Sequence, residues 1–172
     1  PKVWKYKDSY SMILGSKFKQ EDNDKFTGEA LFYTSKDGEK WTYKNRCYDD
    51  TIGDMWECPD LFEVDGRYVL VMSPENIIAD DINYTNNSVY SIVDFDEETC
   101  EMKLINNQKF LDEGLDLYAP QTTLDEFGNR VLIGWMRMPL TFDGEDWIGM
   151  MSLPRVINIK NNLNILPPNL VL

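Results

Sequence analysis

The 172-residue sequence has no histidine. Catalysis by Ser-His-Asp or Cys-His groups is therefore excluded within the chain, and the common zinc sites lose a principal ligand. Proton transfer is left to Asp, Glu, Tyr, Lys and Cys, among which the 30 carboxylates dominate. Cations are scarce: 17 Lys and Arg leave a net charge of −13. That balance argues against nucleic acid or an anionic membrane surface as a partner, since both need a basic footprint. Only three cysteines occur, Cys47, Cys58 and Cys100. They are too few and too scattered for a disulfide framework, and a reducing, cytoplasmic setting is expected, with secretion as the alternative. No secretory leader and no apolar run of bilayer-spanning length is recognisable. Nothing points to a cofactor or a metal.

Apolar residues make up 42% of the chain, as in a globular protein. Aromatics reach 13%, enough to pack a core and to line a sugar cleft. Helical periodicity is hard to find. A repeat takes its place. Pro1, Pro59 and Pro120 are each followed fourteen positions later by a small residue, Gly15, Ser73 and Gly134. Each small residue closes an apolar run: Met12-Ile13-Leu14, Val69-Leu70-Val71-Met72 and Val131-Leu132-Ile133. Polar turns precede these runs at Lys7-Asp8-Ser9, Asp65-Gly66-Arg67 and Phe127-Gly128-Asn129.

The remainder of each unit also reads as β structure. Residues 30–34 and 40–43 flank Asp37-Gly38, a strong hairpin signal. Residues 89–93 with 102–105, and 147–151 with 156–159, are expected to pair likewise. Each unit then holds about four short antiparallel strands, the content of a propeller blade. The expected fold is all-β, a partial propeller with blade-like units at about 1–56, 57–117 and 118–172. Three blades do not close a ring, so the chain reads as a piece of a longer protein. Its exposed blade edges would be open to self-association. The alternative is a small three-sheet β protein.

Residues just before the repeat prolines occupy equivalent places in successive blades, and equivalent places converge on the propeller axis. Glu57-Cys58 and Tyr118-Ala119 therefore approach one another at a channel mouth. Glu57 is flanked by Met55, Trp56 and Cys58. Burial against the neighbouring indole would suit it to general-acid work. The bland reading is a Glu satisfied by backbone amides at a strand end. Asp49, Asp50, Asp54, Asp80 and Asp81 read as solvated loops, and Trp4 and Trp41 as blade packing.

Trp56-Glu57-Cys58-Pro59-Asp60 resembles the "ECP" motif of glycoside hydrolase family 32. Other pieces follow in that family's order. Pro1-Lys2-Val3 resembles the tail of "RDP", and Tyr33-Thr34-Ser35-Lys36-Asp37 with Trp41 resembles "YxSxDxxxW". Leu117-Tyr118-Ala119-Pro120-Gln121 resembles "YAPQ", Ile133-Gly134-Trp135-Met136 resembles "GWM", and Ser152-Leu153-Pro154-Arg155 resembles "LPR". The resemblance implies a five-bladed propeller followed by a β-sandwich, with this chain matching blades three to five. The N-terminal blades and the sandwich are absent from the sequence. The resemblance also implies retaining cleavage of β-fructofuranosyl linkages in sucrose, sucrose 6-phosphate or fructans. Glu57 maps onto the general acid/base. Tyr118, Trp135 and Cys58 map around the sugar pocket. The nucleophilic Asp of a "WMNDPNG"-type motif has no counterpart here, so the isolated chain is expected to be inactive. Lys2 and Arg155 are candidates for meeting a substrate phosphate. Alternatives are a noncatalytic carbohydrate-binding propeller and a related arabinosidase or xylosidase.

Overall fold

The computed structural model describes residues 1–21, 24–79, 82–83, 85–105, 107–138, 143–159 and 163–166. Asp80 and Asp81, read above as a surface loop, lie outside the described residues. Among the described residues, all sixteen regular elements are strands. The first sheet contains β1 (Lys2–Tyr6), β2 (Ser9–Lys19), β3 (Phe26–Ser35) and β4 (Thr42–Tyr48), in that spatial order. The second contains β5 (Met55–Val64), β6 (Arg67–Glu75), β9 (Val89–Asp96) and β10 (Glu101–Leu104). They run in the order β5, β6, β9, β10, and the short β11 (Lys109–Phe110) also pairs with β9. Between β6 and β9 lies a small hairpin, β7 (Ile78–Ala79) with β8 (Ile82–Asn83). The third sheet contains β12 (Leu117–Leu124), β13 (Arg130–Met136), β14 (Met150–Met151), β15 (Arg155–Ile159) and β16 (Leu163–Leu166). Every neighbouring pair is antiparallel. Three four-stranded antiparallel meanders, each opening on its innermost strand, form a partial β-propeller, the fold class expected from the repeat.

The turns form where the sequence places them. Lys7, Asp65 with Gly66, and Gly128 all have positive φ, as tight hairpin connections require. Residues 26–35 pair with 42–48 around Asp37-Gly38, and 89–96 pair with 101–104. The third expected pair does not form. Residues 150–151 and 155–159 do not face each other; both add to the same edge of β13, as consecutive halves of one strand. Pro154, which has no N–H to offer a ladder, falls in the gap between them. Ser152 bridges that gap: its N–H donates to the Gly134 carbonyl, and its Oγ accepts from the Gly134 N–H.

The central sheet is buried on both faces, and β6 shows why its sequence is an unbroken apolar run. Leu70 and Met72 point into a core shared with Ile13, Ala30 and Phe32 of the first sheet. Val69 and Val71 point the other way, into a core shared with Leu117, Leu132 and Ile157 of the third. All four β6 residues are fully buried. The outer sheets each have a more open face; Ile133 and Trp135 of β13 are exposed there.

Candidate active site

Two β-bulges build the site. On β5, Glu57 pairs with Ser73 and Asp60 with Val71, so Cys58 and Pro59 oppose Met72 alone. On β12, Tyr118 pairs with Trp135 and Gln121 with Ile133, so Ala119 and Pro120 oppose Gly134 alone. Cys58 and Ala119 both have φ of 48°. That left-handed conformation costs a residue with a Cβ about 1–2 kcal/mol, and bulges of this kind re-aim side chains. Residues three apart on a regular strand face opposite ways. The bulge turns Glu57 and Asp60 toward the same side, the third sheet, while Trp56 stays on the first-sheet side.

Each carboxylate then finds a partner on β12. The Tyr118 hydroxyl donates to Glu57 Oε2 in a short contact. Asp60, fully buried, accepts from the Thr122 N–H at 2.5 Å. The Lys2 ammonium faces both Asp60 oxygens, at 3.1 and 3.2 Å, with hydrogen-bond alignment only to Oδ2. It also donates to the Thr122 carbonyl at 2.5 Å. The three innermost strands, β1, β5 and β12, are thus tied through one buried ion pair just below Glu57. Glu57 itself is half-buried, at the end where these strands begin.

Burial, and next the bond to Glu57, push the Tyr118 phenol far above its ordinary value, so it remains a donor at any physiological pH. The Arg137 guanidinium lies 5.4 Å from the Tyr118 ring centre and donates to the Leu115 carbonyl at 2.9 Å. Cys58 is exposed beside Glu57; partial burial, and then the Glu57 charge, raise its thiol. Gln121 donates to the Cys58 carbonyl at 3.1 Å, steadying the bulge. Cavities of about 670 and 500 Å³ lie elsewhere, beside Tyr68 and Phe95 and beside Lys36 and Lys40. Neither is lined by Glu57 or Tyr118.

Comparison with known proteins bears on what this arrangement is. The glycosyl hydrolases family 32 N-terminal domain matches residues 1–167. The chain belongs to glycosyl hydrolase family 32. A sucrose-6-phosphate hydrolase of Vibrio alginolyticus is 38% identical over 98% of this chain and 36% of its own length. The corresponding Bacillus subtilis protein is 34% identical over 98% of this chain and 37% of its own. Among solved structures, a mutant Bombyx mori family 32 beta-fructofuranosidase in complex with sucrose superposes with a TM-score of 0.83 and 32% identity. It covers 99% of this chain and 37% of that one. The chain therefore spans little more than a third of the length of these relatives, and the family is one of sugar hydrolases.

Within this family 32 chain, the residues singled out from sequence fall as follows. Glu57, Cys58 and Tyr118 come together across the boundary between the second and third sheets. Trp135 stands one strand further out, opposite Tyr118 in register, with its indole against Gly149. The expectation that Glu57 is buried against the Trp56 indole is corrected. Trp56 is fully buried on the opposite side of β5, where it packs over Gly28 and its N–H bonds the Ile52 carbonyl at 2.7 Å. Strand alternation sends adjacent residues apart. Lys2 and Arg155, the candidates for meeting a substrate phosphate, each have a carboxylate partner in this structure. Lys2 is engaged by Asp60, and Arg155 pairs with Asp112 at 2.6 Å. Trp4 packs on the first core, and Asp54 bonds Asn76 at the surface. Asp60, Ser73, Ser88 and Arg137 were not assigned from sequence. Asp60 lies within the quoted motif, and Ser73 is the one repeat-closing residue that is not glycine.

Proposed function

We propose that this chain forms the acid/base half of a retaining β-fructofuranosidase active site. The supporting observation is Glu57: a half-buried carboxyl group at the channel mouth, fixed by a phenol from the next blade. In the first step Glu57 gives its proton to the glycosidic oxygen as the bond from that oxygen to the fructosyl anomeric carbon breaks. A second carboxylate takes the anomeric carbon. In the second step Glu57 removes a proton from water as the water displaces that carboxylate. Retaining enzymes hold such a pair about 5 Å apart. Asp60 is unsuited to be the second carboxylate, being fully buried and held by Lys2 and Thr122. The nucleophile must come from outside these residues, and the 172-residue chain alone should not turn over.

Sucrose or its 6-phosphate is the substrate class supported by the names of the relatives and by the sucrose-bound neighbour. Arg137, beside Tyr118, is the cation we assign to a phosphorylated substrate. Placement in a reducing compartment is supported by three cysteines that form no disulfide. The test is Glu57→Gln in the full-length protein. Turnover should fall about 10²- to 10⁴-fold with sugar binding retained. Unchanged turnover would overturn the assignment.

A further inference from the structure

Ser73 and Ser88 are both fully buried and lie 3.0 Å apart, oxygen to oxygen. Ser88 Oγ donates to the Leu117 carbonyl at 3.1 Å, which spends its single proton, because a carbonyl only accepts. The proton between the two serines is therefore that of Ser73. Ser73 Oγ in turn accepts from the Ala119 N–H at 3.0 Å. The result is a one-way chain: Ala119 N–H to Ser73, Ser73 to Ser88, Ser88 to the Leu117 carbonyl. It begins and ends on the two backbone groups that flank Tyr118. A neighbouring strand would satisfy the same pair with one N–H and one C=O. Here two side chains stand in for it.

The repeat makes Ser73 the exception. In the first and third sheets the equivalent residues are Gly15 and Gly134. A Cβ on Gly15 would lie 1.7 Å from the Trp56 carbonyl oxygen, and one on Gly134 would lie 2.7 Å from Leu117. In the second sheet the position opens enough for a side chain, and that side chain is a hydroxyl. Ser73 is also the residue opposite Glu57 in the β5–β6 register. Its carbonyl lies 3.4 Å from the Tyr118 hydroxyl. It touches the strand of the acid/base and the strand of the acid/base's partner together.

We propose that Ser73 and Ser88 are positioning residues for the Tyr118–Glu57 pair. They fix the backbone on either side of Tyr118 so that its phenol stays on Glu57 rather than following the bulge into other geometries. The inference rests on the acid/base reading of Glu57. It is tested in the full-length enzyme with Ser73→Gly, which restores the residue used by the other two blades, and with Ser88→Ala. Tyr118→Phe, the double variant Ser73→Gly/Tyr118→Phe, and Glu57→Gln complete the set. Misplacement of a reacting group by an ångström costs about 100-fold, so Ser73→Gly should lower kcat about 10- to 100-fold with KM little changed. The double variant should be no slower than Tyr118→Phe alone, because the serine acts through the phenol. A purely structural serine would instead lower the melting temperature with kcat intact at 20 °C, or give losses that multiply with those of Tyr118→Phe; either result overturns the inference. If Ser73→Gly does not fold, the same criteria apply to Ser88→Ala alone and combined with Tyr118→Phe. Full turnover in Glu57→Gln would refute the acid/base reading itself. A dead Glu57→Gln beside an unimpaired Ser73→Gly would refute only the serine clamp.

Discussion

Replacing Lys2 by methionine should destabilise the protein more than replacing Asp60 by asparagine, although both remove the same ion pair. The asymmetry comes from burial. The Asp60 side chain has no exposure, whereas that of Lys2 retains 23%. Lys2→Met leaves a carboxylate in the interior with the Thr122 N–H as its hydrogen-bond donor and the Arg130 guanidinium acting on it only through its field. Breaking a buried pair in this way costs about 3–5 kcal/mol. Asp60→Asn leaves a neutral acceptor for Thr122. The surviving ammonium keeps the Thr122 carbonyl and can reach water. Its cost is that of a charge-assisted hydrogen bond, about 1.5–3 kcal/mol. For a domain of this size each kcal/mol moves Tm by about 2–4 °C. Lys2→Met should therefore lower Tm by about 6–20 °C and Asp60→Asn by about 3–12 °C. The double variant Lys2→Met/Asp60→Asn should recover part of the Lys2→Met loss, since the fully buried carboxylate is removed along with its ammonium partner. Thermal unfolding followed by tryptophan fluorescence reads the Tm shifts of all three, and urea unfolding their free energies. A larger loss in Asp60→Asn than in Lys2→Met, or losses below 1 kcal/mol in both, would refute a buried carboxylate as the tie between the innermost strands.

Other expectations are as direct. The Tyr118 phenol is raised in the folded state, so its contribution is complete below the unfolded tyrosine value of about 10 and is lost as pH rises through the folded value. Unfolding free energy should fall more steeply between pH 9.5 and 11 in the parent than in Tyr118→Phe; equal slopes would contradict it. Tyr68, raised by burial and by Glu97, should add a parallel slope that Tyr68→Phe removes. Gly28→Ala would place a Cβ 2.2 Å from the Trp56 ring and should cost about 1–3 kcal/mol, measured as a lower urea midpoint. Cys58, exposed but with a raised thiol, should react slowly with a disulfide reagent at pH 7 and faster as pH climbs. Rapid labelling at pH 7 would contradict the assignment.

Much of this fold is legible in sequence because the proline-to-small-residue spacing repeats in phase, and each period carries its own turn signal. Leu70 and Met72 against Val69 and Val71 show the two-sided burial that an apolar run on a central sheet implies. The meeting of Glu57 and Tyr118 also follows, since equivalent positions converge on the axis. What could not be read depends on which way side chains turn. Ordinary strand alternation takes the sequence neighbour Trp56 out of the site, and a bulge of one residue then reverses that alternation, so Asp60, three residues beyond Glu57, joins Glu57 on the same side. The pairing of 147–151 with 156–159 failed because Pro154 interrupts a single strand rather than marking a hairpin. Lys2 and Arg155 looked free because their partners, Asp60 and Asp112, are 58 and 43 residues away. Ser73 carried a signal, as a hydroxyl residue standing where the repeat otherwise uses glycine.

General-acid action by Glu57 is tested most directly by changing how much protonation the leaving group needs. The full-length enzyme and its Glu57→Ala variant would be compared on sucrose and on β-fructosyl fluoride, whose leaving fluoride requires little proton donation. Glu57→Ala should lower the rate of the first step about 10²- to 10⁴-fold on sucrose while cleaving the fluoride's glycosyl bond at close to the parent rate. Equal losses on both substrates, or no loss on sucrose, would contradict the role assigned to Glu57.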